Sequence, residues 1–271
     1  MSHCTGHFVL FVAVASFALA GRVAGADTTT MLALDDPRFA VPEYERLRFS
    51  IEFGVIKAGT ATMESHQHRG ASGESLVVFT SRARSSSFFT RFYPVDDVVT
   101  STVEARSLLP IRFEKRLSEG NYRANEAMTF DRAANRVTYA NGETVSAPDF
   151  ARDVLSAFYD VRRHLLVPGS SFGFVNHANK KTSLIEVKVI GREVLDTRIG
   201  RFHCIKVQPV LARGGLFKNE GRIWVWFTDD AMRIPVKMES KLAFGAITAE
   251  IEKVERPELR LDAKTQKRAR R

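Results

Sequence analysis

From Arg46 to Val254 the chain returns again and again to one pattern, in which apolar and polar residues alternate with a period of two. In the first such run Leu47, Phe49, Ile51 and Phe53 are interleaved with Arg48, Ser50 and Glu52. Successive side chains of a strand point to opposite faces, so this pattern predicts a half-buried antiparallel strand. Similar runs cover 59–68, 74–84, 97–105, 111–117, 122–131 and 136–139, then 183–189, 202–211, 221–227, 232–239 and 246–254. Breaks fall at Gly54, Gly120-Asn121, Asn141-Gly142, Gly191, Gly200, Gly214-Gly215 and Thr228-Asp229-Asp230; the Asn-Gly pair is a strong hairpin signal. Roughly a dozen short strands separated by turn chemistry predict an all-β, mostly antiparallel fold: an open or closed β-barrel or a curved sandwich. Pro235 sits among the alternating Met232, Ile234, Val236 and Met238. A proline cannot donate to a ladder, which places its strand at a sheet edge or at a bulge.

One segment departs from this rhythm. Phe150, Val154, Leu155, Phe158, Tyr159, Val161 and Leu165 follow Ala147-Pro148-Asp149 at spacings of three and four. They predict an amphipathic helix that covers the sheet. Asp149 is the expected N-cap, Arg162, Arg163 and His164 complement the C-terminal dipole, and Pro168-Gly169 stops the helix. Phe53-Gly54-Val55-Ile56 has a weak echo in Phe244-Gly245-Ala246-Ile247, too short to define a repeat.

The N-terminus addresses location. Phe8 to Ala20 is an apolar run interrupted only by Ser16, followed by Ala24-Gly25-Ala26 and Asp27. A membrane span needs about 20 apolar residues, so the run reads as the core of a secretory signal with cleavage near Ala26. The expected organisation is a signal peptide (1–26), a linker (27–44), a single β-rich domain (45–256) and a basic C-terminal tail (257–271). The expected location is the periplasm, as a soluble protein. Cys4 leaves with the signal and precedes its apolar core, which argues against a lipoprotein anchor. Cys204 then stands alone, so no intrachain disulfide is available. The formal charge is +9, part of it in the closing KTQKRARR. For an exported chain, nucleic acid is not expected as a partner. Anionic lipid head groups of a membrane surface or acidic glycans are the natural counterparts of that tail, and the plainer reading, favoured over a binding role, is a disordered, solvated segment.

In this order of segments the chain resembles the bacterial exported domain-of-unknown-function family 3108. The resemblance is carried by Gly54-Val55-Ile56-Lys57-Ala58-Gly59, Leu109-Pro110, Asp153-Val154-Leu155-Ser156-Ala157-Phe158-Tyr159 with Arg162, and Thr197-Arg198-Ile199-Gly200-Arg201-Phe202. Ile223-Trp224-Val225-Trp226-Phe227 and Arg233-Ile234-Pro235-Val236 complete it. The resemblance implies an envelope β protein and brings neither an activity nor catalytic residues. A looser likeness of architecture runs to the open β-barrels that carry lipoproteins or lipids across the periplasm.

The candidate ligand-binding residues are aromatic. Trp224 and Trp226 fall on one face of their strand, with Ile223, Val225 and Phe227 on the other, so both faces need cover from helix, sheet or ligand. Phe88, Phe89, Phe92 and Tyr93 cluster in a serine-rich, loop-like stretch; exposed, they would form a sticky flap or touch a membrane. The chain has 20 Phe against 5 Tyr, which suits a dry core or an acyl-chain pocket alike. Other combinations read as ordinary structure. His66 and His68 could share a strand face but lack further ligands. His203 and Cys204 point to opposite faces, so the imidazole does not activate the thiol. Asp96-Asp97 and Asp229-Asp230 resemble catalytic acid pairs but fit turn chemistry better. No nucleophile elbow, phosphate loop or dinucleotide fingerprint is present, and no metal or cofactor is expected. The sequence favours a non-enzymatic envelope protein that binds a lipid, a lipoprotein or another amphipathic ligand in a β cavity. The alternatives are a ligand-free interaction module and, third, an envelope hydrolase with a cryptic acid pair.

Overall fold

Strand β1 (Tyr44–Phe53) sets the pattern of the whole sheet: Leu47, Phe49 and Ile51 are buried, while Arg46 and Arg48 between them are exposed. The computed structural model describes residues 35–211, 222–242 and 245–257. Residues 1–26, expected to be a signal peptide, residues 27–34 of the expected linker, the Gly214-Gly215 break and residues 258–271 lie outside these. Thirteen further strands follow β1. They are β2 (Ile56–Arg69), β3 (Ser75–Ser85), β4 (Asp96–Glu104), β5 (Pro110–Glu119), β6 (Tyr122–Asp131), β7 (Arg136–Tyr139) and β8 (Thr144–Ser146), then β9 (Ser171–Ala178), β10 (Lys181–Thr197), β11 (Gly200–Leu211), β12 (Arg222–Thr228), β13 (Pro235–Leu242) and β14 (Gly245–Glu255). Two helices interrupt them, the single turn α1 (Ser87–Thr90) and α2 (Val154–Arg163).

All fourteen strands belong to one antiparallel sheet, in the order β8-β7-β6-β5-β4-β3-β2-β1-β14-β13-β12-β11-β10-β9. Two hairpin meanders therefore meet where β1 pairs with β14. The sheet curls but does not close, and β8 and β9 are its free edges. Twist accumulates at register shifts such as Val189/Gly191 and Trp226/Phe227. Family motif Gly54–Gly59 has two local causes. Gly54 has φ +60° in the β1–β2 turn, and a Cβ at Gly59 would stand 2.2 Å from the Arg84 carbonyl oxygen of β3.

The chain crosses from one free edge to the other through α2, which lies inside the curl against β3, β4 and β9. Tyr159 stacks on Phe79 of β3, with centroids 3.7 Å apart and planes 7° from parallel; such a pair adds about 0.5–1.5 kcal/mol beyond its buried area. At the helix C-terminus Arg162 is fully buried. It donates to both carboxylate oxygens of Glu45 (2.7 and 3.0 Å) and to the carbonyls of Arg233 and Met232. Arg256 donates to the same Glu45 at 2.6 Å. Asp35 bridges to His164 and Asp36 is buried against Arg233, so this part of the linker packs onto the helix end.

Several expectations need correction. The helix begins at Val154 and is capped by Asp153, not by Asp149. Ala151 closes a turn on Pro148 and Arg152 is extended, bonded through its backbone to Val175 and His177 of β9, so no helix can start earlier. Arg162 serves a buried ion pair and is not a solvated dipole partner. Of the two places expected for Pro235, the edge is wrong, since β13 lies between β12 and β14, and the bulge fits: the proline opens the strand at the register shift opposite Phe227. Gly191 bends β10 without ending it. Strands β8 and β9 were not anticipated. The Phe88–Tyr93 stretch holds a helical turn, not a plain loop.

Candidate functional site

Between α2 and β9–β12 the inner face is not fully packed. Val154, Ala157, Phe158 and Val161 of the helix face Phe174, Ile185, Val187, Val207, Ile223, Val225 and Phe227 across a groove that also touches Pro209 and Asn176. The cavity measures about 60 Å³, within about 630 Å³ of empty space counting its open mouth. Asn176 is the only polar side chain on its wall, so the groove offers dispersion and desolvation and almost no hydrogen bonding.

The predicted aromatic set is divided by this geometry. Phe227 lines the groove with Val225 and Ile223. Trp224 and Trp226 take the opposite face of β12 and do not line it. The Trp226 indole N–H donates to Glu193 Oε2 at 2.7 Å, and Lys206 and Lys237 lie over its ring, 4.7 and 4.9 Å from the centroid. The far end of the β10–β11 hairpin folds over this outer face: Arg198 pairs with Glu52 and Glu252. Burial of both β12 faces therefore has two sources, α2 on one side and the hairpin on the other. The remaining aromatics lie elsewhere. Phe89 and Tyr93 line a smaller recess of about 30 Å³ with Ile51, Ala58, Val95 and Asp97. Phe88 and Phe92 point out to solvent, with centroids 5.5 Å apart.

The titratable candidates serve structure. His66 and His68 stack on each other along β2, and no group of three or more potential metal ligands occurs among the described residues. Cys204 is buried, and burial pushes its thiol up to about 12, so it does not offer a thiolate. Asp229 pairs with Arg192 and Arg233, Asp230 accepts from the turn amides of Met232 and Arg233, and Asp96 pairs with Arg84.

One acid pair was missed. Asp97 and Glu119 are both buried, on the neighbouring strands β4 and β5, and Asp97 accepts from the Ser118 N–H. Burial, then the Asp97 charge, raises Glu119 to about 8, so the pair holds a proton at neutral pH. Glycoside chemistry needs carboxyls about 5 Å or more apart with a sugar between them. Asp97 and Glu119 are both buried, so no sugar can lie between them. A polar recess of about 370 Å³ lies at the opposite end of the curl. Its charges are spent internally, Asp35 on Arg163 and His164, Asp36 on Arg38 and Arg233.

A family model described as a protein of unknown function, DUF3108, matches residues 48–252. No curated protein matches the chain. Among solved structures, a β-barrel-like protein of domain of unknown function DUF1849 from Brucella abortus is similar at a TM-score of 0.53 and 8% identity, over 80% of this chain and 98% of that one. A protein with a YmcC-like fold from Bacteroides fragilis matches at a TM-score of 0.38 and 12% identity, over 83% and 100% of the two chains. The DUF1849 likeness extends to the fold, a curled β-barrel-like sheet.

Proposed function

Since the chain belongs to DUF3108, a family that supplies a fold and no activity, we propose from the geometry of the groove that it binds the apolar part of an amphipathic envelope molecule. The observation that carries this reading is the wall between α2 and β9–β12, apolar at every side chain but Asn176 and open to solvent. Small-molecule sites span about 300–1,000 Å³. A cavity of about 60 Å³ is far smaller, so the ligand is a single chain, an acyl tail or an apolar side chain, lying in the mouth with its polar part outside. Export to the periplasm is part of the same proposal, supported by the apolar run Phe8–Ala20 and the small residues Ala24 and Ala26. No helix among the described residues is long and apolar enough to cross a membrane. The limited cavity also supports a second reading, in which the groove receives a side chain of a protein partner and no lipid is carried.

The test is native mass spectrometry of protein recovered from the periplasm, with lipid analysis of an organic extract, followed by titration with a fluorescent fatty acid. A stoichiometric lipid adduct is expected. Ala157→Phe, which fills the groove from the helix side, should weaken fatty-acid binding at least ten-fold, about 1.4 kcal/mol. A clean apo mass with no fatty-acid binding would reject the carrier reading and favour the protein partner.

A further inference from the structure

We propose that the end of the sheet formed by the β1–β2 turn and α1 is a docking surface for an anionic lipid bilayer. This surface is separate from the groove and does not depend on it. The aromatics from Phe88 to Tyr93 divide by helical spacing. Phe89 and Tyr93 point inward and line the recess against Ile51 and Ala58, while Phe88 and Phe92 point outward, 57% and 73% exposed. The helical turn is pinned to the start of β2, where the Ser86 N–H donates to the Ala58 carbonyl at 2.8 Å and its hydroxyl to the Lys57 carbonyl at 3.3 Å. Immediately before that point the β1–β2 turn exposes Val55 (97%) and Ile56 (48%). Two exposed rings and two exposed aliphatic side chains therefore stand on adjoining turns.

Hairpin turns are normally served by Gly, Asn, Asp and Ser. Four large apolar groups at the rim gain nothing from the fold and await a partner. The inward pair explains why the outer rings do not collapse onto the sheet: Phe89 and Tyr93 occupy that space, and Tyr93 packs so tightly on Gly120 that a Cβ there would lie 2.8 Å from its ring. The rings are held out on a rigid base.

The charges beside this surface select the partner. Lys57, Arg84 and Arg91 flank it, and Arg91 has no ion pair among the described residues. Lys57 and Arg84 are half or more exposed although each touches one acid. Long basic side chains around a short apolar tip match the bilayer interface, where rings and aliphatic groups enter the acyl boundary to a depth of about 5–10 Å and cations stay at anionic headgroups. The turns carry these side chains at the end of the sheet, as insertion into a bilayer requires.

The experiment is vesicle sedimentation with a chain that begins at Asp27, which retains every described residue. Vesicles of phosphatidylcholine alone are compared with vesicles containing phosphatidylglycerol. The expected result is partition onto the anionic vesicles, weakened by salt. The double variant F88S/F92S should reduce it at least ten-fold and R91E should also weaken it, both with thermal midpoints unchanged because these side chains are at the surface and none of them makes an ion pair among the described residues. Truncation at residue 257 tests the basic tail. Binding that survives F88S/F92S but is lost on truncation overturns the proposal in favour of the tail. Absence of wild-type binding overturns it as well, and leaves the groove reading untouched.

Discussion

At the scale of single residues, the informative positions are charges that fall on the apolar phase of a strand. Glu45 precedes Leu47, Phe49 and Ile51 in the same phase; Asp97 precedes Val99; Lys115 and Glu119 alternate with Phe113 and Leu117. Each is buried. The sequence shows these as violations of the pattern, and an inward charge must be paired. What it does not show is the partner. Glu45 and Arg162 are 117 residues apart and meet only because α2 runs through the curl. Asp96 and Asp97 are neighbours in sequence, yet adjacent strand residues face opposite ways, and the acid coupled to Asp97 is Glu119 on the neighbouring strand β5. The Glu45 site makes a direct prediction. Glu45→Gln leaves Arg162 and Arg256 buried without a carboxylate and should cost about 3–5 kcal/mol. Adding Arg162→Met should cost less than the sum of the two single changes, because the groups share one network. Denaturant midpoints of the two single variants and the double variant check this, and additive losses would show that the pair is not coupled.

At the scale of elements, strands with one covered face were legible and strands with unusual surroundings were not. Strand β8 is three residues long, and β9 lies at the sheet edge beneath α2 and the Arg152 bridge, so its burial does not alternate. Sites failed for the same reason. Alternation put Trp224 and Trp226 together, which was right, but could not say that a folded-back hairpin covers them and leaves Phe227 to the groove. The helix shows how one atom position sets a boundary. Asp153 Oδ1 accepts from the N–H groups of Leu155 and Ser156 at 2.8 and 3.0 Å, and its other oxygen accepts from the Ser101 hydroxyl of β4 at 2.6 Å. The cap therefore starts α2 and ties it to the sheet. Burial raises the pKa of Asp153 despite these bonds, so its charge is expensive and its acceptor geometry is what matters. Asp153→Ala should cost about 2 kcal/mol, the upper range for a lost cap. Asp153→Asn, which keeps an acceptor without the charge, should cost less than half as much. Urea unfolding of the two variants separates them, and equal losses would assign the effect to charge instead of capping.

At the scale of the whole molecule, the sheet is an open curl whose two edges are joined by side chains. The Tyr139 hydroxyl of β7 meets His177 Nε2 of β9 at 2.9 Å and accepts from the Lys180 N–H at 2.8 Å, and His177 Nδ1 meets the Thr182 hydroxyl at 2.9 Å. Both ring nitrogens of His177 are thus engaged by hydroxyl groups. Phe130 also borders the ring, and Lys180, whose N–H meets the same Tyr139 hydroxyl, is paired with Glu143. Burial lowers His177 to about 4 from 6.5. The unfolded chain therefore binds the proton more readily, and stability is lost as pH falls from about 6.5 to about 4, by at most about 3 kcal/mol. Glu119, below the recess lined by Phe89 and Tyr93, has the opposite sign. Its folded value of about 8 lies above the ordinary 4.5, so the folded state holds the extra proton, and stability is lost as pH rises from about 4.5 to about 8. Between about 4.5 and 6.5 one proton is favoured by each state and the two slopes cancel. The molecule should be most stable across that plateau and decline on both sides of it. Glu119→Gln removes the Glu119 slope throughout: its thermal midpoint should hold steady from pH 6.5 to 8 while that of the wild type falls, and should fall from pH 6.5 to 4.5, where the wild type is flat, because the His177 slope is no longer offset. A wild-type midpoint that is flat from pH 6.5 to 8 would mean that Asp97 and Glu119 do not share a proton in the folded protein.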